Sequence, residues 1–231
     1  LLMIDDLVLE LEQRFEAQLS ASVGEIEGRE RAIELWRGSQ QLALRERLQA
    51  LRQWAGDTKH PVPLPLRHAI ERETSDFEQH TDVIAAWSEL LTDRDRLTAG
   101  LAKHAPGEWS DGQIAAAFRW CVARCAEATA VLEEREELAP RKTEEGRKKS
   151  DPPPPEREVL ESEFGIDGLS ESQTVLLDWE DDALLLRLYQ RLRGPLSRHK
   201  EPVRYEHIFV DEAQDLSPLE LSVVLATARG D

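Results

Sequence analysis

Apolar residues at the start of this chain recur with the period of an α-helix, and that spacing constrains the fold more than any other feature. Ile4, Leu7, Val8, Leu11, Phe15 and Leu19 follow the three-four-seven rule that places side chains on one helical face. Such a helix has one face to bury and must find other helices to bury it against. A second helix is predicted from about Arg29 to Trp54, with Ile33, Trp36, Leu44, Leu48 and Leu51 available to pack. The string Pro61-Val62-Pro63-Leu64-Pro65 breaks any helix and favours extended backbone. A capping-box pattern, Ser75-x-x-Glu78, predicts the start of a third helix carrying Phe77, Ile84, Trp87 and Leu91. Ser110-x-x-Gln113 predicts a fourth, with Ile114, Phe118, Cys121, Cys125 and Leu132. No internal repeat is evident.

Composition bounds what such a chain does. With 40% hydrophobic and 32% charged residues, 231 residues build one large or two small domains. No apolar run approaches the ~20 residues that span a bilayer, and Leu1-Leu2-Met3-Ile4 runs into Asp5 and Asp6, unlike a secretory signal. No membrane partner and a cytoplasmic location are therefore expected. Cys121 and Cys125, four apart on one predicted helix, read as a reduced core pair, and the six histidines form no zinc-binding pattern. The net charge of −17 argues against a free-standing nucleic-acid binder, although one local face can still touch DNA. The basic cluster of Arg141, Lys142, Arg147, Lys148 and Lys149 is interrupted by Glu144 and Glu145 and followed by Pro152 to Pro155, the composition of a solvated linker. The tryptophans, Trp36, Trp54, Trp87, Trp109, Trp120 and Trp179, read mainly as core, with Trp109 beside Gly107 the least committed.

The C-terminal part has a different grammar. Ile208-Phe209-Val210 is β-branched and aromatic, which predicts a strand buried on both faces of a parallel sheet. The run stops in Asp211 and Glu212, then Ala213, Gln214 and Asp215. Ser217 can cap a following helix, Pro218 suits its first turn and Glu220 completes a capping box. Adjacent carboxylates at a strand exit diverge, so one can hold Mg²⁺ while its neighbour orients a water, the arrangement nucleotide hydrolysis needs.

The order Asp211-Glu212-Ala213-Gln214-Asp215 after an apolar run resembles motif II (Walker B) of the UvrD/Rep-like superfamily 1 DNA helicases. The acidic-then-leucine stretch from Asp178 to Leu186 is similar to the helix that precedes that motif in the family. The resemblance covers roughly the last 55 to 65 residues. It implies that Asp211 coordinates the Mg²⁺ of bound ATP and that Glu212 positions or deprotonates the attacking water. It further implies that Gln214 and Asp215 couple the nucleotide to neighbouring motifs, Gln214 grouped with the catalytic residues and Asp215 with those that bind the nucleotide. The fold expected is mainly α, with a partial α/β RecA-like (P-loop NTPase) segment at the C-terminal end. In that frame residues 1–140 form a helical insertion like the 1B subdomain, 141–156 a charged and Pro-rich linker, and 157–231 part of the ATPase core. No Gly-rich phosphate loop ending in Gly-Lys-Ser/Thr occurs: Gly24 and Gly28 lie in an acidic stretch without the lysine. The expectation is an internal piece of a larger 3′ to 5′ helicase or translocase acting on DNA, inactive alone. The alternative is an ATP-regulated interaction factor similar to the helicase IV and RNA-polymerase-associated HelD proteins, whose acidic insertion docks on a basic partner such as RNA polymerase.

Overall fold

The computed structural model describes residues 1–57, 62–138, 179–199 and 201–228. Helix α1 (Leu2–Val23) buries Ile4, Leu7, Val8, Leu11, Phe15, Leu19 and Val23, the face its spacing predicts. It stops at Gly24, whose N–H donates to the Ser20 carbonyl at 3.2 Å. Gly28 then adopts a φ of 87°, and a Cβ there would lie 3.1 Å from Leu66, so both conformation and space favour glycine.

The predicted helix from Arg29 to Trp54 is instead two, α2 (Arg29–Gly38) and α3 (Leu44–Gly56). Local polar bonds make the break. Ser39 Oγ donates to the Trp36 carbonyl at 2.9 Å, ending α2, while Glu46 accepts the Ala43 N–H at 3.1 Å, opening α3. Helix α4 (Leu64–His80) starts inside the proline string, with Pro63 as its N-cap and Pro65 in its first turn, where the missing N–H has no acceptor to lose.

Ser75 therefore lies inside α4 and opens nothing, which corrects the predicted third helix. Glu78 turns outward instead to Arg45, at 2.7 Å, and to Arg52. The cap that matters is Asp82, whose Oδ1 accepts the N–H groups of Ile84 and Ala85 at 2.8 and 3.1 Å to begin α5 (Val83–Thr92). Asp93 caps α6 (Arg94–His104). Helix α7 (Asp111–Leu138) opens where predicted, with Gln113 accepting the Ser110 N–H at 2.9 Å. Helix α8 (Trp179–Arg193) is the predicted leucine-rich helix. A short antiparallel pair, β1 (Ser197–Arg198) and β2 (Glu201–Pro202), aligns Ser197 with Pro202, and α9 (Pro218–Leu225) follows. The described residues are mainly helical.

Residues 1–125 and 177–231 form one compact unit, so α8 shares a core with the N-terminal helices. Residues 126–176 form a second unit, of which only the end of α7 is described. In the first unit α1 lies against α2, α4, α5, α6 and α8, while α3 lies against α4 and α8. Phe15 anchors the centre, with its ring 4.4 Å from Trp36 and 5.1 Å from Phe77. Arg47 is buried beside them, its guanidinium 3.9 Å over the Trp36 ring and 2.7 Å from Glu12.

Of the tryptophans read as core, Trp36 and Trp87 are fully buried, whereas Trp120 on α7 is exposed; Trp109, the least committed of them, is exposed just before α7. Cys121 and Cys125 are buried and not joined to each other. No helix among the described residues is long and apolar enough to cross a membrane. The basic cluster at 141–149, the prolines at 152–155 and Asp178 lie outside the described residues.

Candidate functional site

The acidic turn is reached through α8. Gln190 on that helix is buried and donates from Nε2 to the Val223 carbonyl at 3.0 Å, fastening α9 to α8. On the chain leading to the turn, the Tyr205 N–H donates to the Thr227 carbonyl at 2.9 Å, and Tyr205 forms an isolated parallel bridge with Ala228. Both ends of the segment from 205 to 228 are thus tied together beneath α9.

Between them, the strand predicted for Ile208 to Val210 is not formed. These residues carry no ladder, and Phe209 is 95% exposed. An interior parallel strand needs a neighbour on each edge, and the described residues supply only the β1–β2 pair and the Tyr205–Ala228 bridge.

Asp211, Glu212, Gln214 and Asp215 are all exposed on a tight turn rather than at the rim of a buried strand. Asp211 Oδ1 accepts the Glu212 N–H at 3.0 Å. Glu212 sits in the left-handed region, with φ 50° and ψ 42°, an uncommon conformation for a residue with a Cβ. A single 3₁₀ turn over Ala213–Asp215 follows, closed by the Asp215 N–H on the Glu212 carbonyl at 2.8 Å. Gln214 Nε2 donates to Glu212 Oε2, so the structure brings these two side chains together. Asp215 has no side-chain hydrogen bond among the described residues. Ser217 and Glu220 then cap α9 reciprocally, at 3.2 and 2.7 Å, as predicted. No family model, curated protein or solved structure matches this chain.

The donor set suits Mg²⁺ in kind, since a hard cation takes carboxylate oxygen and is commonly held by one or two carboxylates with phosphates and water completing its shell. No group of three or more candidate metal ligands occurs among the described residues. A cation held at this turn would therefore take most of its ligands from phosphate and water, with a carboxylate such as Asp211 as its protein anchor.

A feature that motif reading passed over lies along α8, near the C-terminal end of α9. Arg187, Arg191 and Arg204 line a small cavity of about 180 Å³ together with Gln190 and Glu46. The sequence signal was available, because Arg187 and Arg191 are four apart on a helix and must project from one face.

Proposed function

We propose that this chain is part of an ATP-dependent DNA helicase or translocase of the UvrD/Rep-like type, with its C-terminal segment contributing to a RecA-like core. The observation that carries the reading is the residue order from Asp211 to Asp215, placed between an apolar run and a Ser217-capped helix. Phe209 is exposed and Ile208 and Val210 are half-buried, so the run has unpaired edges of the kind a larger sheet takes up. In this reading Asp211 holds the Mg²⁺ that bridges the phosphates of ATP, and Glu212 orients or deprotonates the attacking water. Gln214, already bonded to Glu212, sets the direction of that carboxylate, and Asp215 contacts the nucleotide side of the site.

The test is Glu212→Gln in the protein that carries this chain together with a phosphate loop. Nucleic-acid-stimulated ATP turnover should fall by about 100-fold or more, the scale of a lost general base, while nucleotide affinity is retained. Unchanged turnover would remove Glu212 from the chemistry.

The charge of −17 favours a second reading, in which the acidic helical body docks on a basic protein surface, such as a polymerase channel, and ATP times its release. Salt-sensitive capture of such a partner by this chain, without DNA binding, would distinguish it from the first.

A further inference from the structure

In a strongly acidic chain, a cavity lined by three arginines is unexpected. Arg187 and Arg191 project from one face of α8, and Arg204 arrives from the segment after β2. Two of the three have incomplete partnerships. Arg191 lies 3.3 Å from Asp5 through Nε, without aligned hydrogen-bond geometry, and among the described residues Arg204 reaches only the Ala226 carbonyl, at 3.5 Å. Arg187 has no ion-pair or hydrogen-bond partner among the described residues, and its Nε is buried. Gln190, whose Nε2 is spent on Val223, leaves its buried Oε1 unpartnered in the same lining.

The carboxylate in the lining, Glu46, offsets one of the three charges but forms no ion pair with any of these arginines among the described residues. Glu46 is committed to the Ala43 N–H at the start of α3, and it lies within 3.2 Å of where a Cβ on Gly194 would be. Buried donors in native proteins are normally satisfied by protein, water or ligand, and a guanidinium cannot shed its charge to escape the problem. Burial, with Arg191 beside it, pushes the Arg187 guanidinium below its ordinary value, against a weaker opposing pull from Asp5. An anion in the cavity would offset both causes.

We infer that Arg187, Arg191 and Arg204 form an oxyanion site that holds one phosphate group, with the unpartnered Gln190 Oε1 placed to accept a hydrogen bond from a protonated phosphate oxygen or a bridging water. The volume supports a single group. A cavity of about 180 Å³ has room for more than one water and is below the ~300 Å³ at which sites for larger ligands begin. Planar forked donors suit phosphate oxygens in a way that ammonium groups do not. The site lies between α8, the start of α3 and the end of α9, includes none of residues 211 to 215, and does not depend on the reading of Glu212.

The phosphate can be free or part of a nucleic-acid backbone, and one experiment separates these sources. The 231-residue chain is titrated calorimetrically with inorganic phosphate against chloride at matched ionic strength, and in parallel with a short single-stranded oligonucleotide. Arg187→Gln and the exposed Arg204→Gln are titrated alongside, with circular dichroism to confirm folding. Saturable phosphate binding that weakens about tenfold in both variants establishes the site. Oligonucleotide binding competed by phosphate then assigns the group to a nucleic acid, and phosphate binding without oligonucleotide binding assigns it to a free ligand. Phosphate binding no stronger than that of chloride, or equal affinity in the parent and both variants, overturns the inference.

Discussion

Removing the Glu12 carboxylate should expose how much of the helical core rests on one buried charge. Arg47 is 2% exposed, and its NH1 lies 2.7 Å from Glu12 Oε1 as an ion pair, without the alignment of a good hydrogen bond. The guanidinium also stacks over Trp36 and donates to the Trp36 carbonyl at 2.7 Å and to Ser39 Oγ at 3.3 Å. Breaking a buried pair on one side typically costs about 3–5 kcal/mol, because the remaining charge is stranded. In Glu12→Ala the low end, about 3 kcal/mol, is expected, since the pair borders an open cleft of about 440 Å³ through which water can reach. With a urea slope of about 2 kcal/mol/M, the unfolding midpoint falls by roughly 1.5 M.

The decisive comparison adds Arg47→Met to Glu12→Ala. Methionine removes the stranded charge; the Trp36 carbonyl keeps its bond from Ser39 Oγ, and that hydroxyl loses only the 3.3 Å bond from Arg47 while still donating its own hydrogen. The double variant should therefore be more stable than Glu12→Ala alone, by about 1 kcal/mol or more. If the double variant is the less stable, the cost of Glu12→Ala does not come from an unpaired charge and the reasoning fails.

Three further outcomes are expected. Phe209→Ser should change unfolding stability by less than about 0.5 kcal/mol in urea titration, because the ring it removes is almost wholly exposed; a loss of several kcal/mol would mean the ring is packed. Asp6 takes hydrogen bonds from Lys103 and His104, both at 2.7 Å, and the Lys103 bond leads in holding its carboxyl below the ordinary value of 3.8. A depressed carboxylate contributes stability above its unfolded value and loses it as pH falls through the folded one. The gap between parent and Asp6→Asn in thermal unfolding should therefore close as pH falls below about 5, and a gap independent of pH would sink the assignment. The isolated chain should show no ATP turnover in a phosphate-release assay, and turnover at a rate sensitive to Glu212→Gln would place the whole catalytic apparatus within it.

How far the sequence revealed the fold depended on whether the deciding interaction was local. The buried face of α1 and the start of α7 were legible, because a 3.6-residue period and a Ser110–Gln113 box are set within a few residues. Ser75-x-x-Glu78 misled because Glu78 found tertiary partners in Arg45 and Arg52, whose positions no local pattern reveals. The split between α2 and α3 was hidden for a related reason, since apolar spacing continues across a break that Ser39 and Glu46 make with main-chain bonds. At the candidate site the capped helix α9 was readable, again from neighbours three apart. The strand before it was not, because β-structure needs partners and Ile208 to Val210 have none among the described residues.

Helix α8 has a mechanical consequence. It meets α1, α3, α5 and α9, and Gln190 pins α9 to it. A push at the acidic turn that displaces α9 is carried by this rod into the bundle's interior, so helices that never touch residues 211 to 215 would register the disturbance.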